Sequence, residues 1–301
     1  MKLIEWIEQA AHLLDTAGVS FGHGTENAFD ESVWLTLWQL GLALDTDLTQ
    51  GIIAERVLTP DEHRALQALF KRRIETRKPS AYLTQEAWLQ GVPFYVDERV
   101  IVPRSLIAEL LVNGTIDPWL HENTHKVLDL CTGNGSLAIL AAMEFPDIVV
   151  CASDLSLKAL EVAQINIDRH TLDSRIQLFH SDGLLAPALV AKGPFDLILC
   201  NPPYVNAQSM AGLPAEFRAE PAIALDGNLS GGTDGMDFVR TLLAQVQKHL
   251  TEIGILVLEI GHERAHFETA FPELEGFWLP SSAGDDQVVV LTFDALKKNS
   301  L

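Results

Sequence analysis

The sequence predicts an α/β protein, with a mostly parallel sheet covered on both faces by helices and a smaller helical domain in front of it. Three observations carry that prediction. From about residue 106 onward, short apolar runs alternate with amphipathic stretches, the pattern of parallel strands joined by helical crossovers. About the first 80 residues show helical spacing only. Between the two, "AWLQGVPFYVDERVIVP" has strand-like runs broken by Gly91-Val92-Pro93 and by Asp97-Glu98, the mark of a hairpin-like connection. The expected layout is therefore a helical domain over 1–85, a hairpin linker over 86–105 and a sheet domain over 106–301.

In the helical domain, Leu3, Ile4, Ile7, Ala11 and Leu14 recur at helical spacing, and a second apolar pattern covers 33–44. The third helix is punctuated by Thr59 as N-cap, Pro60 at the first position and Glu62 to complete a capping box, with Pro79 as its stop. The basic run "KRRIETRK" at its end reads as a solvated helix C-terminus that compensates the dipole. "FGHGTEN", between the first two helices, is a polar turn that no helix rule explains.

In the sheet domain, strands are expected at 126–130, 148–153, 176–179, 195–200, 254–260 and 287–293, with helices such as 157–170 and 238–249 between them. Open sheets of this kind bind ligands outside the carboxyl ends of their strands. The functional residues should therefore follow strands directly.

Bulk properties narrow the function. A net charge of −20 with no dense basic groove argues against nucleic-acid binding, which rests on phosphate neutralisation, and favours a basic partner instead. The apolar run near 253–260 suits a buried strand and not a membrane span. The first 15 residues carry acids and no small-residue cleavage site, so they read as an amphipathic helix and not a signal peptide. Cys131, Cys151 and Cys200 are scattered, odd in number and without a C-x-x-C, which favours the cytoplasm and small buried hydrophobes over disulfides or zinc.

"VLDLCTGNGSLAIL" is a strand, a glycine turn and a helix start. Gly133 and Gly135 suit a tight turn that approaches a ligand, and with Ala138 they also satisfy a relaxed dinucleotide pattern. Asp154, 21 positions after Gly133 at the end of the next strand, suits the two hydroxyls of a ribose in either case. Asp129 precedes the glycines, where an acid would repel a pyrophosphate but suit the ammonium of an amino-acid end. Asp182 follows the third strand, where an adenine edge could be read. Together these residues fit S-adenosylmethionine better than a nicotinamide dinucleotide.

"NPPY" follows the fourth strand. Pro202 and Pro203 remove two donors and fix two φ angles, so the chain leaves the sheet in a set direction. A planar amide or aromatic amine has a delocalised nitrogen lone pair. An acceptor pair aimed at its N–H groups could orient that nitrogen and favour charge developing on it. The Asn201 side-chain oxygen and the Pro202 carbonyl are such a pair, and the Tyr204 ring can pack on the planar group. On this motif alone, a protein glutamine and a nucleic-acid adenine both remain open.

The glycine loop, the ordered acids and "NPPY" together resemble the class I S-adenosylmethionine-dependent protein-(glutamine N(5)) methyltransferases, and the resemblance runs through essentially the whole chain. It implies a seven-stranded, mostly parallel Rossmann-like sheet, a small helical N-terminal domain that recognises substrate, and a β-hairpin linker. "YLTQEAWLQGVPFYVDERVIVPRS" is similar to the family's linker, and "EPAIALDG" with "GGTDG" to its loop after the catalytic turn. "FGHGTEN", "AYLT", "FYVDERV" and "VPRS" resemble the branch that acts on ribosomal large-subunit protein L-three, rather than the branch that acts on peptide-chain release factors. By carry-over, Asp129, Cys131, Thr132, Gly133, Asn134, Gly135, Asp154, Asp182, Gly183 and Asn201 would contact S-adenosylmethionine. Asn201, Pro202, Pro203 and Tyr204 would bind the glutamine amide. "ALDGNLSGGTDG" is a few residues longer than the branch pattern, so no role carries over to 226–232.

Two other readings are disfavoured. "HERAH" (262–266) spells a zinc motif, but it begins one residue after Gly261 and no third ligand follows, so no metal is expected. A non-enzymatic ribosome-assembly factor that only holds S-adenosylmethionine would not need the intact acceptor pair.

Overall fold

Runs of consecutive Val, Ile and Leu give each central strand two apolar faces, and the sheet buries both. The protein is described here from a computed structural model covering residues 1–48 and 53–298. Nine strands form: β1 (Glu86–Leu89), β2 (Val92–Tyr95), β3 (Lys126–Leu130), β4 (Val149–Asp154), β5 (Ile176–His180), β6 (Phe195–Cys200), β7 (Leu250–Glu259), β8 (Phe277–Ser281) and β9 (Gly284–Thr292). The first two make a separate hairpin, and the other seven form one sheet in the order β5-β4-β3-β6-β7-β9-β8. Strands β3 to β7 run parallel, whereas β9 is antiparallel to β7 and β8 to β9.

The period-two alternation sorts the core into two layers. Val127, Leu197, Leu199 and Val257 face one layer, while Leu128, Leu130, Ile198, Cys200, Leu256 and Leu258 face the other. Helices cover both: α5 (Leu106–Val112), α6 (Ser136–Glu144), α7 (Leu157–Arg169), α8 (Pro187–Val190), α9 (Ala207–Gly212), α11 (Asp237–Leu243), α12 (Arg264–Ala270) and α13 (Phe293–Lys298), with α10 (Ala215–Arg218) lying elsewhere.

Three expectations about the sheet change. Strand β8 is missing from the strands read off the sequence, because Pro280 and Gly276 disguise a short edge strand. β7 starts at Leu250, four residues early, since its first residues lie in the same extended run as its buried end. The helix expected over 238–249 breaks after Leu243 into a short 3-10 turn at Val246–His249.

The described residues fall into two units, residues 1–48 and 53–87 with 214–219, and residues 88–213 with 220–298. α10 belongs to the first unit, a contribution from the middle of the sheet domain that sequence order did not suggest. The first unit also contains α1 (Leu3–Thr16), α2 (Ala28–Gln39), α3 (Pro60–Thr76) and α4 (Ser80–Thr84). Its core joins Leu3, Trp6, Ile7, Leu14, Leu35, Leu66 and Phe70. Asn27, the last residue of "FGHGTEN", caps α2 by accepting the Asp30 N–H at 3.0 Å. α3 ends one residue beyond Thr76 on Arg77 in the left-handed conformation (φ 58°), and Pro79 opens α4 instead of stopping α3. The basic run is not a wholly solvated helix end either, since Arg73 is buried in ion pairs with Glu31 and Glu216. No helix among the described residues is long and apolar enough to cross a membrane.

The capping box of α3 forms as its sequence requires: Thr59 Oγ1 accepts the Glu62 N–H, and Glu62 Oε2 accepts the Thr59 N–H at 2.9 Å. Thr59→Ala should lower stability by about 1 kcal/mol. A urea-melt midpoint indistinguishable from wild type would contradict that role for the cap.

Candidate active site

The sheet reverses its winding between β3 and β6, so the loops after these strands lead away to opposite sides and leave a crevice at their carboxyl ends. Leu130 pairs with Cys200, which brings 131–135 and 201–204 out at the same level. Cys131 (φ 63°), Gly133 (φ 56°) and Gly135 (φ 82°) all take positive φ. A Cβ on Gly135 would lie 3.2 Å from Ala163 Cβ on α7, so the loop is packed down at that point. A Cβ on Gly133 would meet nothing, and that residue faces open space.

Two acids brace the loop. Asp154, at the end of β4, accepts the Gly133 N–H on Oδ2 (2.9 Å) and the Ser156 N–H on Oδ1 (2.8 Å). Asp154 lines the crevice, and each of its oxygens can accept a further hydrogen bond, which suits a pair of adjacent hydroxyls. Burial pushes its carboxyl up, opposed by those backbone bonds. Asp129 is fully buried and accepts from Thr132 Oγ1 (2.5 Å) and from the Ala138 N–H (3.0 Å) at the start of α6. Burial raises its carboxyl to about 7, against those two hydrogen bonds. It does not line the crevice; its Oδ2 ties strand, loop and helix, while its Oδ1 is buried without a hydrogen-bond partner among the described residues. The Cys131 thiol is held well above its ordinary value by its hydrogen bond with Cys200 and then by burial, consistent with a packed, unreactive thiol.

The crevice encloses about 1060 Å³ out to its open mouth, and all its lining comes from the sheet-bearing unit. Residues 130–134, 153–156, 181–183, Asn201 and Pro203 line it, joined by 99–101 and 103–105 of the linker and by Pro221, Ile223, Ala224 and Leu229. The structure thus brings together Cys131, Thr132, Gly133, Asn134, Asp154, Asp182, Gly183, Asn201 and Pro203. Asp129, Gly135, Pro202 and Tyr204 stand outside the lining. Asn134 Nδ2 and Ser153 Oγ, on residues that line the crevice, are buried polar atoms without a hydrogen-bond partner among the described residues. Buried polar atoms of this kind call for a polar ligand. Together with the open face of Gly133 and the free lone pairs of Asp154, they fit a nucleoside that carries a polar tail.

Asn201 is half-buried at the end of β6, while Pro202 and Pro203 are buried. Tyr204 is half-buried, and its hydroxyl donates to Glu259 Oε1 at 3.4 Å. Burial and then the Glu259 charge push that phenol up, so it stays protonated. Gly235 and Gly261 make room for it, since a Cβ on Gly261 would come within 2.6 Å of the ring and one on Gly235 would collide with the Tyr204 carbonyl. Glu259 Oε2 also accepts from Ser105 Oγ (2.5 Å) and from the Leu106 N–H (2.9 Å) at the start of α5. One buried carboxyl therefore ties "VPRS" to "NPPY".

The longer segment after the turn also finds a role. The Val205 N–H donates to the Leu225 carbonyl, and the Gly227 N–H donates back to the Val205 carbonyl. Asn228 Nδ2 donates to that same carbonyl at 3.0 Å, and its Oδ1 accepts the Gly235 N–H at 2.8 Å. Residues 225–235 thereby clamp the chain as it leaves the Asn201–Tyr204 turn. Glu220 accepts the Val102 N–H and a two-pronged bond from Arg104. None of Glu220, Asn228, Glu259 and Glu263 was among the expected site residues. Signals existed for Glu259, an acid at the end of an apolar strand like Asp129 and Asp154, for Glu220 at the start of "EPAIALDG" and for Glu263 in "HERAH".

"HERAH" spans a 3-10 turn and the start of α12, so its two histidines do not share a regular helical face. Glu263 Oε2 instead bonds His266 Nδ1 at 2.5 Å, and its Oε1 accepts from Asn206 Nδ2 at 2.6 Å, just beyond "NPPY". No group of three metal-binding side chains occurs among the described residues.

Comparison with known proteins agrees with this geometry. A family model described as "Methyltransferase small domain" matches residues 108–226. A ribosomal protein uL3 glutamine methyltransferase from Burkholderia pseudomallei is 50% identical over 292 residues, covering 95% of this chain and 92% of the relative. One from Neisseria gonorrhoeae is 46% identical over 289 residues, covering 95% and 93%. Among solved structures, the hMettl16 catalytic domain in complex with a MAT2A 3'UTR hairpin aligns with a TM-score of 0.52 at 15% identity, over 81% of this chain and 85% of that one, a likeness of fold alone.

The raised Asp129 carboxyl has a testable sign. Its contribution to stability is present in full below about pH 4, where it is protonated folded and unfolded alike, and is lost as pH rises through about 7. Unfolding free energies of wild type and Asp129→Asn should therefore diverge between those limits, in favour of the variant and by on the order of a few kcal/mol, and run parallel above them. A difference that does not vary with pH would rule out the buried, raised carboxyl.

Proposed function

Since the chain belongs to the ribosomal protein uL3 glutamine methyltransferases, we infer that it transfers a methyl group from S-adenosylmethionine to the side-chain amide nitrogen of a glutamine in uL3. The observation that carries this reading is the pairing of two loops at one sheet level, 131–135 after β3 and 201–204 after β6. When bound, S-adenosylmethionine supplies an electrophilic methyl group. In this reading Asp154 holds the two ribose hydroxyls, Asp182 and Gly183 meet the adenine edge, and the 131–134 loop takes the polar tail with Asn134 and Ser153.

Asn201 then does the work at the acceptor. Its side chain makes no hydrogen bond to the described residues, which leaves the carbonyl oxygen available for an amide N–H. With the Pro202 carbonyl it would hold both N–H groups of the glutamine, orient the nitrogen and favour the positive charge that develops there. The proline pair keeps both acceptors in place without reorganisation. Tyr204, bound to Glu259 and boxed in by Gly235 and Gly261, is a rigid wall behind the turn. The net charge of −20 supports a basic protein as partner.

Asn201→Ala should lower turnover roughly 100-fold or more, with cofactor affinity by calorimetry little changed. Asp154→Ala should do the reverse and weaken cofactor binding first. Substrate choice is tested by radiolabelled methyl transfer to purified uL3 and to a peptide-chain release factor side by side. Labelling of uL3 at a glutamine is expected, and labelling of the release factor alone would overturn the substrate while sparing the chemistry.

A further inference from the structure

"FGHGTEN" and a buried charge cluster that the chemistry does not use are parts of one construction. Arg73, only 1% exposed, donates from Nε to Glu31 Oε1 (2.8 Å), from Nη1 to Glu216 Oε1 (3.3 Å) and from Nη2 to the Ser20 carbonyl (3.2 Å). Arg77 Nε lies 2.7 Å from the same Glu216 oxygen. Thr25 of "FGHGTEN" donates to Glu31 Oε2 at 3.2 Å. Next to Glu216, the Phe217 ring sits 4.2 Å from the His23 ring, centroid to centroid. Gly22 (φ +115°) leaves the space, since a Cβ there would come within 3.2 Å of Phe217 Cζ. Gly22 and His23 thus receive Phe217, and Arg73 and Arg77 receive Glu216.

Burying charges is costly, and apolar side chains would fill such a site at less expense. A buried ionic set is best justified by what it selects, namely one segment in one register. The segment selected is telling. Residues 214–219 belong to the helical unit, yet they lie between the chain leaving "NPPY" and the loop that lines the crevice at 221–229. Val205 is clamped on one side of the segment and Glu220, held by Arg104, on the other.

We propose that residues 214–219 are a latch by which the helical unit positions the glutamine-binding turn and the crevice loop through the chain on either side, a role that rests on the reading of Asn201–Tyr204 as that turn. Arg73 and Glu216 are then positioning residues: they touch neither cofactor nor amide. The helical unit would contribute to turnover through this segment as well as through any contact it makes with substrate.

The test uses the full chain carrying Glu216→Gln, with Phe217→Ala as a milder second variant that keeps every charge paired. Hydrogen exchange read by mass spectrometry is expected to quicken at least tenfold in 205–213 and 220–229, and to stay unchanged in the β3 and β4 peptides. Affinity for S-adenosylmethionine by calorimetry should stay within twofold. Methylation of uL3 should lose at least tenfold in kcat, with KM for S-adenosylmethionine unchanged and Glu216→Asp restoring part of the rate. Unchanged exchange in both flanking segments in both variants would overturn the latch, as would a rate loss that tracks lost cofactor affinity. The exchange arm needs no substrate, so it decides the latch even if uL3 proves not to be methylated.

Discussion

The parallel pairing of β3 with β6 is the constraint on which the rest of the site depends. Leu130 lies opposite Cys200, so the two strands end together and their loops start from the same level. Because the winding reverses between them, no helix crosses the gap above their ends. Shifting the pairing by one residue would turn Ile198 and Cys200 to the wrong core layer and carry Asn201 away from the glycine loop. The two-layer core is therefore also what holds Asn201 beside the glycine loop.

Around that pairing the protein repeatedly uses buried or half-buried carboxylates to hold backbone. Asp129 takes the Ala138 N–H, Asp154 those of Gly133 and Ser156, Glu220 that of Val102, and Glu259 those of Leu106 and Ile107. Asp237 does the same for Ser230 and Gly232 in the clamp loop. Loops have many unpaired backbone donors, and a carboxylate that accepts several at once gives a loop one conformation without a strand partner. This changes the meaning of the −20 charge. Part of it is internal bracing, and only the remainder is available as a field to attract a basic partner.

Much of the fold was legible because it rests on local pattern. Apolar runs along 126–130 and 195–200 identify β3 and β6, and the Thr59–Glu62 box marks the start of α3. The misreadings occur where long-range packing overrides local signals. Strand β8 carries a proline and survives because it is an edge strand paired on one side only. Arg73 sits in a basic run yet is buried, because Glu31 and Glu216 come to it from 42 and 143 residues away.

The sequence by itself determined the chemistry on offer: a glycine loop and acids at successive strand ends, and a proline-stiffened Asn-Pro-Pro-Tyr turn. These are local features, each set by residue type and by position after a strand. The tertiary structure alone decided which of these residues line the crevice and which stand behind it. It joined Asp129 to the Ala138 N–H and Tyr204 to Glu259, set 225–235 as a clamp on Val205, and placed 214–219 in the helical unit. The physical reason is that each of those contacts joins residues far apart in sequence, so its partner is chosen by packing and not by local pattern.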